Sequence, residues 1–171
     1  MKFVLLFLLS SFLLFVGCKE KDSPTETPTA STTTEAQLYM LGKNSAGFTF
    51  YKNSTDTLTK AGNSAHPDPK LRTRYNKIAA QYLDANGKVK AGTVFPDSSL
   101  IVKELFTGST LTTYVFLFKK KGDTNADANG WVWAETSPTG AATYPVSNKG
   151  SGCLGCHSTG IDYTRMNDTH P

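Results

Sequence analysis

Cys153, Cys156 and His157 form a Cys-x-x-Cys-His run close to the end of the chain. Two thiols at this spacing can each form a thioether with one vinyl group of a haem. The imidazole that follows is then placed to ligate the iron from one face. The predicted cofactor is one covalently held haem c, with His157 as its metal ligand. Other uses of a close cysteine pair fit less well. A structural zinc ion takes a full tetrahedral set, and a second Cys or His pair is missing unless His157 converges with the remote His66 or His170. A thioredoxin-like redox pair follows a strand at a helix start, and Ser151-Gly152 behind Pro145 offers no such strand.

The amino terminus agrees with covalent haem, which needs export. Lys2 precedes an apolar run from Phe3 to Val16, broken only by Ser10 and Ser11, and then Gly17-Cys18. This is the pattern of a secretory signal over residues 1–17, and the run falls short of the ~20 residues that span a bilayer. A cysteine directly after the small residue marks Cys18 as a lipidated first residue, although Phe15 stands where the lipoprotein pattern prefers leucine. A plain secretory signal or an uncleaved anchor is the alternative. With lipid on Cys18 and haem on the other two, all three cysteines are used. The expected protein is exported and held to a membrane by its lipid, facing the periplasm or the cell surface.

Residues 18–36 carry the lipidated cysteine and a Thr/Pro-rich tether with too few apolar residues to pack, and residues 37–171 make one haem domain. A formal net charge of +4 is too weak and too dispersed to imply nucleic acid. The Lys119-Lys120-Lys121 run reads as a strand end in solvent. Asp123 to Gly130 has oxygen ligands at alternate positions, like a calcium loop. However, Ala128 holds the place of the turn glycine and Ala134 that of the last carboxylate, so a polar hairpin loop is expected.

Within the domain, Pro69 opens a stretch where Leu71, Tyr75, Ile78 and Tyr82 recur at helical spacing, ending near Asn86-Gly87. Strand patterns follow: Leu100 to Phe106, a turn at Thr107 to Thr110, Leu111 to Phe118, and Trp131 to Trp133. Tyr39 to Tyr51, with alternating Phe48 and Phe50, predicts another. The fold class is α+β: an antiparallel sheet of about four to five strands, an N-terminal helix, and a short helix at the haem motif. Two haem architectures are excluded. Small electron-carrying cytochromes place the motif near the amino end with a methionine well downstream, whereas Met166 lies only nine residues after His157. A four-helix bundle needs four long helices, and period-two strands fill the central third.

Phe95-Pro96-Asp97-Ser98-Ser99-Leu100-Ile101-Val102-Lys103-Glu104 resembles a segment of the cytochrome P-460 family, which includes the beta type of cytochrome c′. Three further segments agree in order and spacing: Tyr-Val-Phe-Leu-Phe-Lys at 114–119, Asn129 to Glu135, and the haem motif followed by Asp162-Tyr163. The resemblance covers roughly residues 66 to 165. It implies a compact antiparallel sheet with helices, often a homodimer, with His157 as proximal ligand and an open or weakly filled sixth site.

That family divides on chemistry. Hydroxylamine-oxidising members bond a lysine to the porphyrin edge, and beta-type members cap the distal side with aromatic rings and bind nitric oxide. The matching lysine is Lys103, which strand alternation puts on one face with Ile101 and Leu105, and Glu104 on the other with Val102 and Phe106. Tyr114, Phe116 and Phe118 share a face that suits a haem wall or an ordinary aromatic core. Hydroxylamine chemistry needs a proton acceptor, and residues 144–152 hold no Asp or Glu, leaving Glu104, Asp97 or Glu135. Arg72, Arg74 and Arg165 are candidates for the haem propionates. The expected function is a membrane-tethered monohaem cytochrome that binds nitric oxide. The alternatives are hydroxylamine oxidation at a Lys103-linked haem, with Glu104 as a catalytic candidate, and electron transfer to a redox partner protein. An electron carrier would take Met40, Met166, His66 or His170 as second axial ligand.

Overall fold

A computed structural model of the chain describes residues 31–62 and 64–165. The expected signal segment, Cys18, Met166 and His170 lie outside the described residues. The core is one antiparallel sheet in the order β1-β3-β4-β5-β6-β7, with β2 pairing on β3. Its strands are β1 (Thr49–Phe50), β2 (Leu58–Thr59), β3 (Lys70–Tyr75), β4 (Leu100–Thr107), β5 (Thr110–Lys119), β6 (Trp131–Thr136) and β7 (Ala142–Tyr144). Helix α1 (Glu35–Gly42) precedes them and the one-turn helix α2 (Leu154–His157) follows. Among the described residues no helix is long and apolar enough to cross a membrane.

The class is α+β as expected, with seven strands among the described residues where about four to five were predicted. The extra ones are mostly two- or three-residue edge strands, too short to show a period. The helix predicted after Pro69 is instead β3 followed by a single helical turn at Ala79–Tyr82. Leu71 and Tyr75 sit four apart, which satisfies a helical stripe and a strand face equally, and Thr73 between them is also buried. Asn76 ends the strand: its Oδ1 accepts from the Ala79 and Leu100 amides at 3.0 and 3.1 Å, and its Nδ2 donates to Ser98 O.

Both faces of the sheet are covered, which is why β4 is buried at every position but its last. On one face α1 packs Leu38 among Val102, Phe116, Val132 and Ala134. The helix is started by a capping box in which Thr34 and Gln37 exchange side-chain bonds with each other's amides. A strand was expected over Tyr39 to Tyr51. The contiguous apolar run Leu38 to Leu41 hides the helical period, and only Thr49–Phe50 pairs as a strand. Packing also begins earlier than residue 37. Asp123 Oδ2 accepts from the amide and hydroxyl of buried Thr33 at 2.9 and 2.6 Å, fastening the end of the expected tether. On the opposite face Ile101, Leu105, Val115, Leu117, Trp131 and Trp133 form a second core, against which Cys153, Leu154, Ile161 and Tyr163 pack.

Lys119 corrects the expectation of a solvent-facing lysine run. It is 1% exposed, its Nζ pairs with both oxygens of Asp162 at 3.0 Å, and it lies over the Trp131 ring. This pair fastens the chain that follows the Cys-x-x-Cys-His run to the sheet.

Candidate functional site

The turn of α2 sets the motif. Cys156 N and His157 N both donate to Cys153 O, at 3.2 and 3.1 Å, so the two cysteines and the histidine stand at i, i+3 and i+4 on one side of the turn. Gly150 lets the chain reach it: at φ +75° it crosses Trp133, and a Cβ there would lie 2.8 Å from the indole nitrogen. Among the described residues both thiols are free, Cys153 half-buried and Cys156 exposed.

His157 is held at its back. Its Nδ1 lies 2.9 Å from Tyr163 O, a contact that puts the proton on Nδ1 and leaves Nε2 as the free lone pair. Asp162 and Tyr163 have φ of 46° and 61°, left-handed values that turn the Tyr163 carbonyl toward the ring. The Trp133 indole meets the imidazole edge-on at 4.9 Å, and Trp133 Nε1 is itself fixed by Asp127 at 2.8 Å. Burial, and then the nearby Lys103 charge, holds the imidazole down to about 4, so it is neutral and able to ligate a metal at physiological pH.

Cys153, Cys156 and His157 line a cavity of about 360 Å³ between the sheet and the C-terminal segment. Lys103 lines it too, on the face that strand alternation assigned to it. Its buried amine is lowered to about 8, first by desolvation and then by the Arg165 charge. The register Lys103↔Val115 and Val115↔Glu135 puts Lys103 and Glu135 in one lateral row, on the same face, across a single valine. Glu135 lines the cavity, burial raises its carboxyl, and it makes no hydrogen bond or ion pair among the described residues. Tyr144 continues the row and donates to Ser151 O at 2.7 Å, beside Cys153.

Other expected site residues are not brought together here. Phe116 and Phe118 lie on the opposite face of the sheet, Phe116 fully buried under α1 and stacked on Tyr114. The cause is a bulge. Thr107↔Thr110 and Phe106↔Leu111 begin a regular hairpin, but Leu105 then pairs with Thr113, so Lys103 faces Val115 where a regular ladder would give Tyr114. Every side chain beyond Thr112 is thereby exchanged between faces relative to β4. Glu104 is also on the far face. Its carboxylate takes Arg72 Nε at 2.6 Å and Arg74 Nε at 3.2 Å, which removes both arginines from the propionate role and leaves Arg165 at the cavity. Asp97 accepts the Lys121 amide on the surface, so of the three carboxylates considered only Glu135 reaches the cavity.

A covalently held haem fits these residues. Two free thiols and a neutral imidazole with its Nδ1 proton already engaged form the donor set, and Arg165 and Lys103 both line the cavity as cations for carboxylate groups. Among the described residues no three His, Cys, Asp or Glu side chains cluster tightly enough to hold a bare metal ion. No family model, no curated protein and no solved structure matches this chain.

Proposed function

We propose that the chain is a membrane-tethered monohaem c-type cytochrome, exported and anchored through Cys18, that binds a small nitrogen ligand such as nitric oxide on the haem side opposite His157. The observation that carries this reading is the single helical turn presenting Cys153, Cys156 and a back-bonded His157 on the wall of one cavity. When bound, the haem supplies an iron able to hold a diatomic ligand. The chain's own residues do the rest: Tyr163 O keeps the imidazole in one tautomer and orientation, Trp133 packs edge-on against the ring, and Arg165, which lines the cavity, would offer a cation to a propionate. Resemblance to the cytochrome P-460 family, through the segment ending at Lys103-Glu104, supports the same reading.

A second reading, hydroxylamine oxidation, is favoured by one observation, the Lys103–Val115–Glu135 row on the cavity wall. It supplies an amine able to approach a porphyrin edge and a carboxyl able to accept a proton. One set of measurements on haem-matured protein separates the readings. The ferrous protein is expected to take up nitric oxide and carbon monoxide with a shift of its Soret band. A low-spin iron that refuses both gases sinks ligand binding in favour of electron transfer. Hydroxylamine turnover with an electron acceptor, lost in Glu135→Gln, establishes the second reading.

A further inference from the structure

Of the four side chains that sequence offered as a second axial ligand, only His66 is brought to the cavity among the described residues. Met40 is 63% exposed on α1, which packs on the far face of the sheet. Met166 and His170 lie outside the described residues. His66 lines the same cavity as His157, from the loop that joins β2 to β3.

That loop is held at several points. Lys60 N donates to Pro69 O at 2.9 Å and closes its base, and Lys60 Nζ donates to the carbonyl of His66 itself. Two residues on, the buried Asp68 carboxylate accepts from Thr107 and Thr112 hydroxyls at 2.8 and 2.9 Å, tying the loop to the β4–β5 bulge. Pro67 and Pro69 restrict the backbone on either side of Asp68. The His66 ring is half-buried and makes no hydrogen bond among the described residues. Its ring nitrogens are therefore free to take a partner from the cavity that the ring lines. The partner that the cavity can offer is the haem.

We propose that His66 is the second axial ligand of the haem iron in the ligand-free protein. This rests on the haem reading above and deepens it. The binding side is closed at rest, and a small ligand must displace an imidazole to bind. Among the described residues, Lys103 and Arg165 are the other nitrogen-bearing side chains at this cavity besides His157. An arginine does not ligate at ordinary pH, and the amine of Lys103 is the rival that the test must separate.

The test uses the full chain matured with haem. Electron paramagnetic resonance and absorption spectra of the ferric wild type are expected to be low-spin with bis-imidazole character. His66→Ala is expected to become high-spin and to return to low-spin on adding free imidazole, while Lys103→Met stays low-spin. Carbon monoxide affinity of the ferrous His66→Ala protein should rise ~10-fold or more, since a self-ligated site is only fractionally competent. A high-spin wild type overturns the proposal, as does a low-spin spectrum that survives His66→Ala or is lost in Lys103→Met. If His66→Ala does not accumulate, His66→Met takes its place: a shift of the low-spin spectrum toward His/Met character supports the proposal, and an unshifted spectrum overturns it. A chain that carries no covalent haem would instead remove the underlying haem reading.

Discussion

Glu104→Ala is expected to cost ~3–5 kcal/mol of stability while leaving the haem spectrum and gas affinity unchanged, because truncating one partner strands a buried opposite charge. The side chain of Glu104 is 5% exposed and that of Arg74 is fully buried. Arg74 also donates to Asn44 O at 3.0 Å and to Gly42 O, and stacks over Phe48. One carboxylate therefore balances a guanidinium that fastens the end of α1 to the sheet. Removing it leaves Arg74 with carbonyl acceptors but no counter-charge. Glu104→Gln keeps the shape and one acceptor, so its loss should be smaller. Urea unfolding followed by far-ultraviolet circular dichroism measures both. A variant of unaltered stability with altered gas binding would return Glu104 to the haem site.

Lys119→Met is expected to be comparably destabilising, again by ~3–5 kcal/mol, and unlike Glu104→Ala it should disturb the haem. Methionine keeps the packing of the stem on Trp131 but strands Asp162 at 9% side-chain exposure. Asp162 also accepts the Phe95 amide through its side chain and the Trp131 indole through its carbonyl. Its neighbour Tyr163 provides the carbonyl behind His157. Loosening this corner frees the imidazole to rotate. The expected signature is a broadened, pH-sensitive haem spectrum alongside the lost stability. The double variant Lys119→Met with Asp162→Asn should recover much of the loss, because no charge is then left buried alone. Full additivity of the two single losses would show that the pair is not coupled.

How far the sequence reads through to the structure differs by element. The β4–β5 hairpin was legible because branched and aromatic residues run on either side of Gly108-Ser109, and Trp131 to Trp133 likewise. β3 was not, because Leu71 and Tyr75 fit both periods and only Asn76 marks the end. At the site, α2 and the face of Lys103 were legible, the latter from its apolar neighbours on one strand. The faces of Phe116 and Phe118 were not. Relating β5 to β4 needs the register, and one bulged residue at Thr112 inverts it. Glu135 was legible only as one of three candidates, since its row with Lys103 crosses three strands far apart in sequence. The Lys119–Asp162 pair escaped for the same reason. A lysine beside two others reads as solvated until a carboxylate and an indole from elsewhere are seen around it.

The central claim is that Cys153 and Cys156 hold a haem by covalent bonds with His157 as ligand. Intact mass spectrometry of the denatured protein tests it directly, after expression with haem maturation in an oxidising compartment. One haem is expected to remain on the polypeptide and to disappear in Cys153→Ser with Cys156→Ser. A c-type pyridine haemochrome would then mean that Lys103 is free, and an altered one that it is bonded to the porphyrin. A polypeptide that matures beside a competent control cytochrome yet carries no haem mass would contradict the claim.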